Sequence, residues 1–359
     1  NAVLLNALYR TPETPETPKT PRPDTTSNRP SVKTGPPSGC SRKSNVVFVN
    51  THECSNSTVA TMFQRYGLTH SLNFVLPKEG PSLYIGHPKS FRWTMVQPLA
   101  RPNLTYNLLV HHVVYDRPEI ARGMPNDTVY VTILRRPETS FQTTYRRCQL
   151  QKVFKMSLEE FIRDNKLTSS LLSRRLLGGR VGFDQSSFNL GLYPGSSPKT
   201  PTSKDAIKTL ETDFDIVMIG EKLDASLLLL KRLLCWDVAD VATLSFREPT
   251  DLQTLPLPAE AVSTLASFNE LDDSIYKHFS RVVNARVKKA KGPQMQRDWE
   301  QLLQARAVIT EACSSNRVPK VQGQWMDANT CEYFRLSESE MTVLMHQHQE
   351  INMRRLQLS

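Results

Sequence analysis

The sequence predicts an α/β protein in which a parallel sheet is flanked by helices. Four apolar runs rich in β-branched residues recur along the chain, and the first, "VVFV", shows no alternation with polar residues. Such runs are typical of strands that are covered on both faces of a sheet. Three of the runs are followed by segments with helical periodicity. Repeated strand-helix units favour a parallel sheet with right-handed crossovers.

The first of these units is the clearest. Its strand spans 46–49, and the helical pattern that follows starts at Ser57 or Thr58, both of which are good N-cap residues. Gly67 is the predicted end of this helix, because glycine readily adopts the left-handed conformation that closes helices.

The later elements follow the same logic. Strand-like runs and helical patterns alternate, with strands at 106–116, 127–137 and 214–223 and helices at 140–154, 225–238 and 282–313. A loop rich in Gly, Ser and Pro at 178–204 is long enough to cover a site. The segment 337–356 has only weak helical signals.

Composition divides the chain into three parts. Residues 1–44 are rich in Pro and Thr and offer little to bury, which predicts a disordered stalk; a plain flexible linker is the alternative. Residues 45–313 form the predicted folded domain. Residues 314–359 form a C-terminal extension to which the sequence assigns no role.

The charge pattern excludes few classes of binding partner. The formal net charge is +10, which fits an anionic ligand, a membrane surface or simple solubility. Basic residues are scattered and no basic-aromatic stripe is present, so no nucleic-acid partner is expected. No run of about 18 apolar residues occurs, so the chain itself has no predicted transmembrane helix.

Cysteines and sequons bear on metal binding and on compartment. The six cysteines include no CxxC pair, so no metal site is expected, and their spacing does not reveal a disulfide pairing. Asn103 and Asn126 each begin an Asn-x-Thr sequon, which predicts glycosylation in a secretory compartment.

The polar turn after the first strand is a candidate anion site. Free backbone N–H groups at a helix N-terminus attract phosphate, and the hydroxyls of Ser55, Ser57 and Thr58 can add hydrogen bonds. The glycine- and lysine-containing Walker A pattern is absent. An ordinary N-capped helix therefore stays open as the alternative.

Two further candidates follow other strands. Arg135 and Arg136 end the third strand-like run, and Thr143 lies in the helix after it, so a guanidinium and a hydroxyl can hold a phosphate together. His111 and His112 lie in the second run, where one of them can act as a general base. Neighbouring residues of a strand face opposite ways, so at most one of the two histidines serves the crevice. A solvated arginine pair and a structural histidine are the alternatives.

Taken in order, these motifs resemble the Golgi galactose-3-O-sulfotransferases. In that family the first loop reads "THKTxSST" against "THECSNST" here, and the second run reads "FNIxCNHxRF" against "YNLLVHHVVY". The third reads "PNxxxxxxLRxPxxxFxSS" against "PNDTVYVTILRRPETSFQTT". "EKLDASLLLLKRLLCWDVADV" and "FNELDDSIYKHFSRV" also have counterparts, so the resemblance runs from about residue 45 to 313.

The resemblance implies a P-loop-like sulfotransferase fold and a transferase that uses 3′-phosphoadenosine 5′-phosphosulfate (PAPS) without a metal. The acceptor would be the 3-hydroxyl of a terminal β-galactose on a glycolipid such as galactosylceramide or on a glycoprotein. The implied location is the Golgi lumen, with a type II signal-anchor in the membrane that this chain lacks. His112 would be the catalytic base. The donor would be held by Thr51, His52, Glu53, Cys54, Ser55, Asn56, Ser57, Thr58, Arg135 and Thr143.

Glu53 is the main departure from the family pattern, because it stands where the family loop has Lys. A carboxylate there opposes the negative charge of the donor. A cation from elsewhere can compensate, with Arg136 the most economical candidate and Lys43 or Lys89 as alternatives. Otherwise the backbone amides hold the phosphate alone, or the protein is a pseudoenzyme that binds glycan or nucleotide without transfer. Asn56 also begins a sequon inside the loop, which we expect to be buried and unmodified.

A P-loop kinase is a poor alternative. The Walker lysine is absent, and no Asp that would bind magnesium follows a strand. The resemblance therefore implies a sulfotransferase, with the pseudoenzyme as the second hypothesis.

Overall fold

Four parallel strands form the central sheet of the computed structural model, in the spatial order β2-β1-β3-β4. The strands are β1 (Val46–Val49), β2 (Leu108–Leu109), β3 (Val129–Leu134) and β4 (Ile216–Ile219). The structure describes residues 40–51, 58–101, 103–147, 149–163, 183–193, 201–244, 257–290 and 292–358. β1 pairs with β2 and β3, and β3 pairs with β4, always in parallel register.

The helices of the described residues surround this sheet. In chain order they are α1 (Thr58–Thr69), α2 (Arg117–Ala121), α3 (Pro137–Arg147), α4 (Leu150–Phe154), α5 (Leu158–Arg163), α6 (Gln185–Asn189), α7 (Ser203–Asp213), α8 (Leu223–Leu234), α9 (Val238–Val241), α10 (Ala259–Phe268), α11 (Glu270–Ala290), α12 (Pro293–Ser314), α13 (Thr330–Arg335) and α14 (Glu338–Leu358). Short 3-10 turns span Trp93–Met95 and Gly220–Lys222, and β5 (Lys320–Val321) and β6 (Gln324–Trp325) form an antiparallel hairpin.

Both faces of the sheet are covered, which explains the apolar runs. Successive residues of a strand point to opposite faces. Accordingly Val46 and Phe48 pack in a core with α1, α8, α12 and α14, whereas Val47 and Val49 pack in a second core with α7 and α11. Every residue of β1, β3 and β4 is buried. The predicted α/β class with a parallel sheet flanked by helices is confirmed.

Gly67 does not end α1, contrary to the prediction. The helix continues to Thr69, and Gly67 is buried inside it. A Cβ atom built on Gly67 would lie 2.4 Å from Phe74 Cζ and 2.6 Å from Leu108 Cδ1. Glycine is therefore needed here for the close approach of the helix to these side chains, and its conformational freedom is not used.

Two other segments differ from their predicted form. Only Leu108–Leu109 of the run 106–116 joins the sheet, while His112 and Val114 make single parallel bridges to Tyr84 and Ser90. The predicted loop 178–204 contains the helix α6 and the start of α7 within its described part.

The C-terminal segment packs on the domain core. Met341 and Met345 of α14 are fully buried in the cluster that contains Phe48 of β1. Disulfides join Cys313 to Cys331, and Cys40 to Cys235. The predicted stalk, 1–44, lies almost entirely outside the described residues. Within the part of the chain that the structure describes, no helix is both long and apolar enough to cross a membrane.

Candidate active site

The carboxyl ends of β1 and β3 form one edge of the sheet, where the candidate residues gather. Asn50 and Thr51 follow β1 and are both buried. Thr51 Oγ1 donates a hydrogen bond to the carbonyl oxygen of Ile133, at 2.5 Å, which holds the start of the first loop against the end of β3. Because parallel strands end at the same edge, this is where ligands bind in open α/β sheets.

The first loop is described only at its two ends. Thr51 is placed by the bond to Ile133, and Thr58 begins α1. His52, Glu53, Cys54, Ser55, Asn56 and Ser57 lie outside the described residues, so their predicted contacts with the donor stay predictions. The first N–H groups of an α-helix have no partner inside the helix, so those at the start of α1 are candidates for binding an anion.

His112 lies beside Asn50, the residue that follows β1, and is almost fully buried. Its Nε2 atom is 3.2 Å from Oε1 of Glu338, which is itself only 1% exposed. The side-chain nitrogen of Asn50 lies 3.5 Å from the same Nε2 atom, and the Tyr84 ring is tilted against the imidazole with centroids 5.2 Å apart. Nδ1 of His112 is buried and has no hydrogen-bond partner among the described residues.

His111 has a different environment, as the strand alternation predicts. It is buried, neither ring nitrogen has a partner among the described residues, and His346 of α14 is a nearby titratable group. Burial, with smaller contributions from His346 and His112, lowers the pKa of His111 to about 3. His111 is therefore a neutral core residue.

We expect His111 to make the fold sensitive to acid. Its folded pKa of about 3 lies below the ordinary value of 6.5, so the unfolded chain binds the proton first as pH falls. The contribution of neutral His111 to the free energy of unfolding is therefore fully present above pH 6.5. Below that pH it is lost at about 1.4 kcal/mol per pH unit until the folded pKa is reached. Denaturant unfolding at several pH values between about 7 and 5 measures this slope. The slope should flatten in His111→Leu, and an equal slope in that variant would contradict the prediction.

The two arginines after β3 differ in their partners. Arg135 forms no ion pair with any described residue. Its aliphatic stem packs against Gly220, since a Cβ atom built on Gly220 would lie 2.7 Å from Arg135 Cγ. Arg136 is held by carboxylates: its guanidinium lies 3.5 Å from Glu138 and 3.9 Å from Glu221, and its backbone N–H donates to Glu221 at 2.9 Å. Arg135 is thus the cation available to a phosphate at this edge.

Thr143 is half-buried on α3, two turns after Arg135. Its hydroxyl donates to the carbonyl oxygen of Thr139 at 3.0 Å, so it has to rotate to donate to a ligand. For Arg136 to compensate for Glu53, its guanidinium has to leave Glu138 and Glu221. Both roles stay predictions.

Asn189 and Glu221 are site residues that sequence reasoning missed. The Asn189 side chain donates to the carbonyl oxygen of Thr51 at 3.2 Å, and its Oδ1 lies 3.3 Å from His87 Nε2. Asn189 sits at the end of α6, a short helix inside a Gly- and Ser-rich segment that carries no periodic signal. Glu221 was recognisable only as part of the "EKLD" motif.

Asp272 fixes α6, and with it Asn189. Its carboxylate accepts hydrogen bonds from the Ser186 and Ser187 backbone N–H groups, at 2.9 and 2.8 Å, and from the Ser187 hydroxyl at 2.5 Å. Burial, together with the charge of Asp184, raises the pKa of Asp272 to about 6. Asp272 is the first of the two aspartates in the "NELDDS" stretch, so part of that motif positions α6, the helix whose Asn189 reaches Thr51.

Comparisons with known proteins show which family this chain belongs to. The sequence model of the galactose-3-O-sulfotransferases matches residues 8–330. The chain belongs to the galactose-3-O-sulfotransferase family. The resemblance found in the loop and strand motifs is therefore confirmed.

Individual relatives agree with this assignment. The chain is similar to galactose-3-O-sulfotransferase 3 of Bos taurus, with 31% identity over 75% of this chain and 63% of that protein. It is similar to galactose-3-O-sulfotransferase 2 of Sus scrofa, with 28% identity over 80% of this chain and 73% of that protein. Galactosylceramide sulfotransferase of Homo sapiens is 28% identical over 67% of this chain and 57% of its own length. No solved structure matches the chain.

Proposed function

We propose that this family member is a sulfotransferase that transfers sulfuryl from PAPS to the 3-hydroxyl of a terminal β-galactose. The observation that carries the proposal is His112, a buried histidine beside Asn50 and Thr51 whose Nδ1 atom has no partner among the described residues. The relatives of this chain include galactose-3-O-sulfotransferases and galactosylceramide sulfotransferase. The acceptor class would be a galactose-terminated glycolipid or glycoprotein.

The residues at the sheet edge fit a doubly anionic nucleotide. Arg135 has no carboxylate partner among the described residues, and α3 begins two residues after it, so the guanidinium and free N–H groups of a helix N-terminus lie close together in the chain. Arg135 and Thr143 would hold the 3′-phosphate, and the loop 51–58 would hold the phosphosulfate end. When bound, PAPS supplies a sulfuryl group on a phosphate leaving group.

His112 would act on the acceptor. Its Nδ1 would accept the proton of the galactose 3-hydroxyl as that oxygen forms its bond to sulfur, and the bond from sulfur to the phosphate oxygen would break in line. Proton transfer by a positioned histidine typically accelerates such a step about 10²–10⁴-fold.

A secretory location is part of the proposal, with the lumenal side of the Golgi membrane as the compartment. Two observations support it. The disulfides Cys40–Cys235 and Cys313–Cys331 form in oxidising compartments. Asn103 and Asn126 are exposed, as glycosylation of their sequons requires.

Two measurements test the proposal against the pseudoenzyme that Glu53 suggests. Calorimetric titration with 3′-phosphoadenosine 5′-phosphate tests whether the nucleotide site is retained. Transfer of labelled sulfate to galactosylceramide and lactose then tests catalysis. Nucleotide binding without transfer to any galactoside would favour the pseudoenzyme, and no binding at all would remove both nucleotide hypotheses.

Glu53→Lys should raise the transfer rate about 30-fold or more. It restores a charge-assisted contact worth about 2 kcal/mol or more to the leaving group and removes a repulsive carboxylate.

Arg136→Ala should abolish wild-type transfer if Arg136 is the compensating cation. Arg122→Ala is the matched control, because Arg122 is another exposed arginine paired to a carboxylate. Full activity of Arg136→Ala would show that Arg136 does not compensate.

A further inference from the structure

Glu338, at the start of α14, is buried and contacts His112, the proposed base. The side chains of Glu338 and His112 are 1% and 3% exposed, with Oε1 and Nε2 3.2 Å apart. The family match ends at residue 330, before Glu338. A buried carboxylate is costly unless it is paired, so the contact with His112 needs a reason.

Local sequence and packing hold Glu338 in this position. Ser337 and Glu340 form a capping box at the start of α14: the Ser337 hydroxyl accepts from the Glu340 N–H at 3.3 Å, and the Glu340 carboxylate accepts from the Ser337 N–H at 2.6 Å. Further along α14, the Gln349 amide bonds both the N–H and the carbonyl oxygen of Phe74, at 2.8 and 3.1 Å. α14 is therefore fixed at its first turn and again about three turns further along.

The contact selects one form of the imidazole. An ionised carboxylate accepts hydrogen bonds but cannot donate them, so Nε2 of His112 must carry a proton to bond Glu338. The Asn50 amide nitrogen would instead donate to an unprotonated Nε2, but at 3.5 Å it is farther away than the carboxylate at 3.2 Å. In the neutral ring the lone pair is then on Nδ1, the atom that is buried without a partner among the described residues. This is the atom that would take the acceptor proton, and the carboxylate would stabilise the imidazolium formed.

We propose that Glu338 is a positioning residue that holds His112 with Nε2 protonated and Nδ1 free to accept the proton of the acceptor hydroxyl. The proposal rests on the proposed role of His112 as base. In the transfer step the proton moves from the hydroxyl to Nδ1, the oxygen-sulfur bond forms and the leaving phosphate oxygen keeps its electron pair. Glu338 gains and loses no proton.

Glu338→Gln is the decisive variant. A glutamine amide can accept from Nε2 or donate to it, so it neither fixes the tautomer nor stabilises the imidazolium, and we expect kcat to fall about 10²–10⁴-fold with KM nearly unchanged. Glu338→Asp should recover part of the rate. Glu350→Gln is the matched control, because it removes the same charge from an exposed site three turns along the same helix.

The pH profile separates positioning from a merely structural role. Losing the anionic partner destabilises the imidazolium, so the rise of kcat/KM with pH should shift to lower pH in Glu338→Gln. The titratable groups that face His112 in the described residues are Glu338 from α14, Tyr84 from the preceding segment and His111 beside it. An unshifted profile with an unchanged kcat would overturn the proposal.

Nitrogen-15 chemical shifts of His112 keep the test independent of catalysis. The wild type should show a protonated Nε2 and an unprotonated Nδ1, and Glu338→Gln should shift the ring towards a mixture of the two tautomers. That result in a protein that transfers no sulfate would support the tautomer assignment while removing the proposed function. A wild-type ring protonated on Nδ1 would overturn the proposal, whatever the activity.

Discussion

His112→Gln is expected to lower the rate of sulfuryl transfer about 10²–10⁴-fold, because it removes the general base and keeps a similar shape. The glutamine amide can still donate to Glu338, so no buried carboxylate is left alone and the fold should survive. Affinity for 3′-phosphoadenosine 5′-phosphate should be unchanged within about two-fold, since His112 would contact the acceptor only. Steady-state transfer to lactose and calorimetry measure the two quantities.

His70→Gln is the matched control for this variant. His70 is an exposed histidine whose Nε2 lies 3.7 Å from a carboxylate oxygen of Asp240, at the end of α1 and away from the sheet edge. Its replacement should leave transfer unchanged. Wild-type activity in His112→Gln would show that another group removes the acceptor proton.

Asp272→Ala is expected to lower the free energy of unfolding by about 3–5 kcal/mol. The carboxylate accepts three hydrogen bonds at the start of α6, and its removal leaves buried backbone donors of Ser186 and Ser187 without partners. Transfer should fall as well, because Asn189 of α6 holds the carbonyl oxygen of Thr51. Equilibrium unfolding in urea, beside the transfer assay, measures both effects.

Asp272→Asn separates the hydrogen bonds from the charge. The amide oxygen still accepts, so the loss should be smaller, at about 1–2 kcal/mol. The raised pKa of Asp272, about 6 against 3.8, means that the folded state binds the proton more tightly. Its contribution is therefore greatest at low pH and declines between pH 3.8 and 6, and this decline should vanish in the Asn variant. A loss below about 1 kcal/mol in Asp272→Ala would contradict the assigned role.

The sheet was predictable because its strands are buried on both faces, which leaves uninterrupted apolar runs in the sequence. Gly67 shows the limit of local signals: a glycine at the expected end of a helix was needed instead for contact with Phe74, a residue beyond the helix. The strand run 106–116 was overestimated because bridges at single residues and a continuous strand leave the same apolar pattern.

The site was only partly predictable. Strand alternation indicated that at most one of the two histidines serves the site, and the family resemblance selected His112. The structure gives His111 and His112 different partners, and the role of His112 stays a prediction. Glu338 and Asn189 were out of reach, because each meets its partner only through packing between distant parts of the chain. No short-range pattern records such a contact.

The docking of α14 has a consequence for biosynthesis. The ribosome completes all four sheet strands before Glu338 is made, so the sheet can form while the imidazole still lacks its carboxylate. Under the proposed role of Glu338, His112 would reach its positioned form only after α14 has been synthesised and has packed against Phe74. A nascent or proteolytically clipped chain that stops short of Ser337 would lack Glu338 and would also leave uncovered the core around Phe48 that Met341 and Met345 fill.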